Sequence, residues 1–173
     1  MPDPAFLEGD SVALHPMTDE DVGLAVRLRN DPRVRTGVGG SEPTTPADVE
    51  ARRESRDDPA FVIRVDGEPV GNCVLHEDDH PWGYGEVGYA VLPDHWGNGY
   101  ATDAVDCLAR YAFTERRLHK LGADVYASNP ASARVLEKVG FRREGRRRAH
   151  AFVDGEHVDL LSFGLLAEEW RSE

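Results

Sequence analysis

Gly97 and Gly99 are the first residues of the chain whose type and spacing could do chemistry. They sit between a strand-like stretch, Glu86 to Leu92, and a helix-like run that carries Ala101, Ala104, Val105, Leu108 and Ala112 at helical spacing. A helix that opens on glycine presents unpaired N–H groups and the positive end of its dipole, which suits an anionic phosphate. Two common phosphate loops are excluded. A Walker loop needs Gly-Lys-Ser/Thr, and no Lys follows Gly99. A dinucleotide fingerprint needs a third glycine; Thr102 stands there, and no clear second βαβ unit follows. By themselves the two glycines also fit a plain strand–turn–helix that binds nothing.

A second group, His76, Glu77, Asp78, Asp79 and His80, has metal-capable side chains, but no ligand spacing stands out. It reads as a solvated acidic loop, and no metal is expected. The cysteines, Cys73 and Cys107, have no metal-type spacing either. Their scarcity argues for a reducing compartment, so a cytoplasmic protein is expected. No apolar run approaches the ~20 residues of a membrane span. The Met-Pro-Asp-Pro start lacks the basic and apolar regions of a signal peptide.

The chain has 173 residues and a formal net charge of −12. Lys120 and Lys138 are its only lysines. Such a surface suits a protein kept soluble in high salt, where self-repulsion is screened; an acidic protein from a GC-rich genome fits as well. The charge is uneven. Arg110 to Arg148 holds eleven Lys/Arg and four Asp/Glu, a local +7, which leaves −19 for the rest. That exception could serve a polyanionic ligand or be a salt-bridged face. The overall charge argues against nucleic acid of any length.

The elements that must position these residues follow in order. Ser11 to Met17 alternates as a strand. Thr18 is an N-cap for a helix to about Asn30, and Asp31-Pro32 stops it. Thr36 to Thr45 is Gly-rich and reads as a mobile loop, a lid beside the site. Pro46 starts a charged helix to about Arg56. Ala60–Val65 and Val70–Leu75 flank Asp66-Gly67, a hairpin signal. After the central helix comes a strand over Leu121–Ser128, then Asn129-Pro130 opening a helix that ends at Gly140. Phe141 begins a long strand to about Phe152. Asp154-Gly155 turns it back into Val158–Leu166, whose alternation changes near Leu160-Leu161, the mark of a bulge or of burial on both faces. The expectation is one α/β (α+β) domain over residues 8–170. Its central sheet would be mixed and mostly antiparallel, of about seven strands, with helices on both faces.

Several spaced features together resemble the GCN5-related N-acetyltransferases. Trp96-Gly97-Asn98-Gly99-Tyr100-Ala101 is similar to their Q/R-x-x-G-x-G/A acyl-CoA turn, with Trp96 where Gln or Arg is usual. Asn129-Pro-Ala-Ser132 through Gly140-Phe141 resembles the N-x-x-S/A…G-F segment. Gly140 to Gly145, Asp154-Gly155, Asp159, Gly164-Leu-Leu and Glu169-Trp170 resemble the subgroup of the RimJ and RimL ribosomal-protein acetyltransferases.

The resemblance implies acetyl-CoA as co-substrate and a sheet splayed at its centre, between the strands ending near Leu92 and Ser128. Backbone groups of Ala90, Val91 and Leu92 would pair with the pantetheine arm. Amides of Gly97, Asn98, Gly99, Tyr100 and Ala101 would hold the pyrophosphate. Asn129 would bond the arm as well as cap its helix, and Arg134 and Lys138 would neutralise the 3′-phosphate. Glu86 is the general-base candidate. The Tyr that serves as acid in many relatives is replaced by Leu136, so Ser132 is the candidate at the departing thiolate, with Tyr89 second. The implied acceptor is an amine, either a protein N-terminus or a small amine such as a polyamine or aminoglycoside. The alternative is a non-catalytic acetyl-CoA- or RNA-binding module. Monomer and homodimer both remain open.

Overall fold

The computed structural model describes residues 4–171. Its strands are β1 (Leu7–Glu8), β2 (Ala13–Pro16), β3 (Ala60–Val65), β4 (Glu68–Glu77), β5 (Tyr84–Val91), β6 (Lys120–Tyr126), β7 (Arg142–Val153) and β8 (Glu156–Leu166). Its helices are α1 (Val22–Asn30), α2 (Pro32–Val38), α3 (Pro46–Ser55), α4 (Tyr100–Thr114), α5 (Pro130–Val139) and α6 (Ala167–Arg171). The strands form one eight-stranded sheet in the order β1-β2-β3-β4-β5-β6-β8-β7. Only β5 and β6 run parallel; every other neighbouring pair is antiparallel.

The α/β expectation holds, with an eighth strand added. Leu7–Glu8 pairs with β2, and Asp103 on α4 fixes the turn between them. Its carboxylate accepts from the N–H groups of Asp10, Ser11 and Val12 at 3.1, 2.7 and 2.9 Å. Thr18 does cap, in a reciprocal box with Asp21, but what it opens is a 3-10 turn (Asp19–Asp21) that leads into α1. Pro32 ends α1 and also starts α2, because proline at the first helical position loses no hydrogen bond. The expected loop from Thr36 is therefore helical to Val38. The irregularity expected near Leu160-Leu161 lies on the partner strand: the register shifts fall between Arg143 and Gly145 and between Arg147 and Ala151. β8 itself is buried on both faces over Phe163, Gly164 and Leu165. The last residues described close as α6.

Two cores hold the site. On one face α4 and α5 cover Ile63, Cys73, Leu75, Val87, Val91, Leu121 and Leu165. Eight of the fifteen residues of α4 are buried, which anchors the helix whose N-terminus matters below. On the other face Leu24, Leu28 and Val34 of α1 and α2 meet Val62 and Leu92. The exposed edge strand β7 carries Arg142, Arg143, Arg146, Arg147 and Arg148, and charge there blunts edge-to-edge pairing. Much of the basic segment is ion-paired: Arg116 with Glu77, Lys120 with Glu144, Arg142 with Glu169, and Arg146 with Asp159.

Candidate active site

β5 and β6 pair only over Tyr84–Glu86 with Lys120–Gly122. Beyond that they separate, and the gap opens into a cleft of about 1420 Å³. The β5–α4 turn forms one end of it. Gly97 and Gly99 both adopt left-handed backbone, with φ of 81° and 79°, which is the reason for glycine at each. A Cβ at either would meet no protein atom within 4 Å, so the face over the turn is open. Among the described residues the N–H groups from Gly97 to Thr102 have no hydrogen-bond acceptor; the first α4 amide to find one is that of Asp103, on the Gly99 carbonyl. Gly99, the N-cap, offers no side-chain bond. These are the orphan donors of a helix start, with the dipole aligned behind them. The set fits a pyrophosphate.

Trp96 explains itself here. Its indole Nε1 donates to the Val91 carbonyl at 2.7 Å, tying the turn to the end of β5. The Asn98 side chain braces the same turn by donating to the His95 carbonyl at 3.1 Å. Gly97, Gly99, Tyr100 and Ala101 line the cleft, whereas Asn98 contributes only its amide.

Pairing alternates along β5. The Leu92 amide donates to Val70 of β4, so Leu92 and Ala90 direct their backbone groups to β4. Val91 and Tyr89 direct theirs into the gap. The expected contact set shifts accordingly. Ala90 lines the cleft through its side of the strand, and Leu92 lies outside it in the second core.

α5 forms the far wall. Asn129 caps it, its side chain accepting from the Ser132 amide at 3.3 Å. The C-terminal end of α2 crosses over this point. A Cβ at Gly37 would lie 2.8 Å from Asn129 Nδ2, and one at Gly39 would overlap the Tyr126 hydroxyl, so glycine lets this segment close on the splayed strand. Ser132 and Tyr89 meet in the gap, their hydroxyl oxygens 2.7 Å apart. The Tyr89 hydroxyl also reaches the Ser132 carbonyl at 3.1 Å. Burial pushes the Tyr89 phenol up to about 12, so it stays protonated and can donate. Leu136, where relatives carry Tyr, is fully buried core. Arg134 and Lys138 line the cleft from α5 and make no ion pair among the described residues.

Glu86 is exposed and outside the lining of the cleft, with the Tyr84 hydroxyl donating to it at 3.2 Å. Directly opposite it across the β4–β5 ladder stands His76, which does line the cleft. His76 Nδ1 lies 2.7 Å from Asp58 Oδ2. A carboxylate on one ring nitrogen fixes the ring and leaves the other free to take a proton. Nothing in the spacing of Asp58 and His76 announces this pair: an entire strand separates them, and both read as ordinary surface residues. Cys73 lines the cleft too, but burial pushes its thiol well above the usual range, so it is no thiolate nucleophile.

An anion cradle, an open strand edge, two hydroxyls and an oriented imidazole around one cleft can bind a phosphorylated acyl donor and move protons at both ends of an acyl transfer. Residues 11–142 match the acetyltransferase (GNAT) domain. This chain belongs to that family. It is 32% identical over 111 residues to the uncharacterized N-acetyltransferase p20 of Bacillus licheniformis, covering 64% of this chain and 62% of that protein. It is 28% identical over 113 residues to the spermidine N(1)-acetyltransferase of Escherichia coli, covering 65% and 61%. The chain spans about three fifths of the length of the curated relatives it matches. The structure of Mycobacterium smegmatis RimJ in complex with CoA-disulfide superposes with a TM-score of 0.78 at 29% identity, covering 94% of this chain and 86% of that one.

Proposed function

We propose that this protein is an acetyl-CoA-dependent N-acetyltransferase acting on a protein N-terminal α-amine by direct attack in a ternary complex. The observation that carries this reading is the run of unpartnered amides from Gly97 to Thr102, facing a gap between parted strands. The pyrophosphate sits on those amides. Arg134 and Lys138 meet the 3′-phosphate, and the pantetheine arm follows the edge of β5 at Tyr89 and the Val91 amide, with Asn129 opposite. The thioester then lies toward Ser132.

An α-amine of pKa near 8 is partly charged at neutral pH and must lose a proton to attack. His76, oriented by Asp58, takes that proton. Glu86, beside His76, adds negative field at the margin of the cleft, and the general-base role expected of it passes to the imidazole. The amine nitrogen forms a bond to the acetyl carbon, the carbon–sulfur bond breaks, and the departing thiolate takes a proton from Ser132 Oγ. Tyr89 holds the Ser132 hydroxyl in place and stays protonated, and solvent returns the proton to Ser132 as His76 releases its own. The raised thiol of Cys73 supports direct transfer over a cysteine relay.

A small-amine acceptor is the second reading, favoured by the likeness to the spermidine enzyme. The acidic loop that would attract a polyamine is partly occupied, since Glu77 is held by Arg116 at 2.6 Å. Mass spectrometry of the products from a mixed panel of N-terminal peptides and small amines tests the choice. Acetylated peptide α-amines are expected; acetylation of small amines alone would contradict the N-terminal reading.

A further inference from the structure

The wall of the cleft nearest His76 and Asp58 is built by α1 and α3, and its charge is the opposite of the protein's. Arg29, Arg52 and Arg56 all line it, in a chain of net charge −12. Two nearby arginines of the lining, by contrast, are neutralised. Arg33 pairs with Asp31 at 2.9 Å, and Arg53 with Asp19 and Glu50 at 3.0 and 2.9 Å. Among the described residues Arg29, Arg52 and Arg56 make no ion pair; Asp48, one turn before Arg52, feels its charge but is bonded to Thr45. The Nη1 nitrogen of Arg52 is closed off from solvent and has no acceptor. Burial, then the charges of Arg52 and Arg56, lower the pKa of Arg29, so the three guanidinium groups feel one another. The carboxylates around the cleft do not relieve them. Asp58 is bonded to His76, and Asp124 accepts from Ser162. Asp154 and Glu156, on the β7–β8 turn, also line the cleft but make no ion pair with these arginines.

Buried guanidinium N–H groups are ordinarily satisfied, and like charges held together cost free energy unless an anion joins them. Arginine presents a planar fork suited to carboxylate or phosphate oxygens. We propose that Arg29, Arg52 and Arg56 form an acceptor subsite that holds a carboxylate or phosphate group carried by the substrate amine. This rests on the acetyltransferase reading and narrows it: the acceptor is an acidic N-terminal segment, with an anionic side chain within the first few residues. A polyamine would meet three positive charges there that no ion pair neutralises.

The test is calorimetric titration into the CoA-loaded protein, which cannot turn over. Three peptides with free N-termini are compared, carrying Asp/Glu, Asn/Gln or Lys at the second and third positions, together with free glutamate and spermidine. The Asp/Glu peptide is expected to bind at least about tenfold more tightly than its Asn/Gln counterpart, about 1.4 kcal/mol. The Arg52→Gln/Arg56→Gln variant should lose that preference while keeping its affinity for CoA, which also shows that it is folded. Arg56→Glu should shift preference toward the Lys peptide. Equal or tighter binding of the Asn/Gln peptide, the Lys peptide or spermidine to the unaltered protein would overturn the subsite. Weakened CoA binding in the double variant would overturn it too, by assigning the arginines to the donor. Preference for free glutamate over the acidic peptide would keep the anionic subsite and overturn the peptide source. A parallel assay with acetyl-CoA separates the two claims: selective binding of the acidic peptide without its acetylation would sink the enzyme reading and leave the subsite standing.

Discussion

The two walls of the cleft are made by different means. The β5–α4 wall presents backbone, and on the proposed function binds with it: amides of one contiguous turn, set by two left-handed glycines and held by a helix buried along more than half its length. The α1–α3 wall presents side chains, and on the proposed function binds with them: Arg29, Arg52, Arg56, Asp58 and His76, brought together from two helices, a loop and a strand. Backbone sites are cheap to encode and hard to tune, because the donors are the same in any sequence that can make the turn. Side-chain sites can be altered one residue at a time. The donor half should therefore tolerate little change, whereas the acceptor half can be rewritten without disturbing it.

The largest effect that would sharpen this contrast falls on the side-chain wall. His76→Asn is expected to lower kcat by about 10²–10⁴, the usual weight of a general base, with acetyl-CoA affinity unchanged. Glu86→Gln should change kcat far less. Stopped-flow CoA release reads both, and the reverse ranking would return the base role to Glu86.

A smaller effect tests the scaffold behind the backbone wall. Asp103→Asn removes a charged acceptor for three amides and should cost about 1–3 kcal/mol in urea unfolding. Burial raises the Asp103 pKa, but the bonds from Ser11, Asp10 and Val12 outweigh it and hold the carboxyl below its usual range. Its stabilisation is thus full above the unfolded value of about 3.9 and is lost as pH falls through the lower folded value. The Asn variant should lack that acid-side slope.

The smallest effect concerns the clamp between the wall and its strand. Trp96→Phe loses the bond to Val91 and should weaken acetyl-CoA binding by about fivefold, roughly 1 kcal/mol. No change would mean that the glycine backbone holds the turn unaided.

The same contrast explains what could be read from the sequence. Gly97, Gly99, Asn129, Pro130 and Gly140 each impose a local backbone state, so the turn, the cap and the ends of α4 and α5 were legible, as was the splay that the family resemblance implied. Ser132 was named from the resemblance alone; the structure places it three residues from its cap, against Tyr89. The alternation that turns Ala90 and Leu92 away from the gap depends on which neighbour β5 pairs with, a tertiary fact. The His76–Asp58 pair and the arginine wall depend on how α3 and β4 pack, and ordinary charged residues give no sign of that. Glu86 was named by position in a strand; which of two adjacent strands faces the cleft at that level is decided by the fold.

The most direct test is the affinity of acetyl-CoA for the unaltered protein and for Gly99→Val, by calorimetry in molar KCl, with circular dichroism on both. A β-branched residue at a φ of 79° is strained by about 1–3 kcal/mol and displaces the amides of the turn. Saturable binding in the unaltered protein, weakened about 100-fold (~2.7 kcal/mol) in a variant that remains folded, is the predicted result. Equal affinity in the two proteins, or no binding by the folded unaltered protein, would contradict the amide cradle as the donor site.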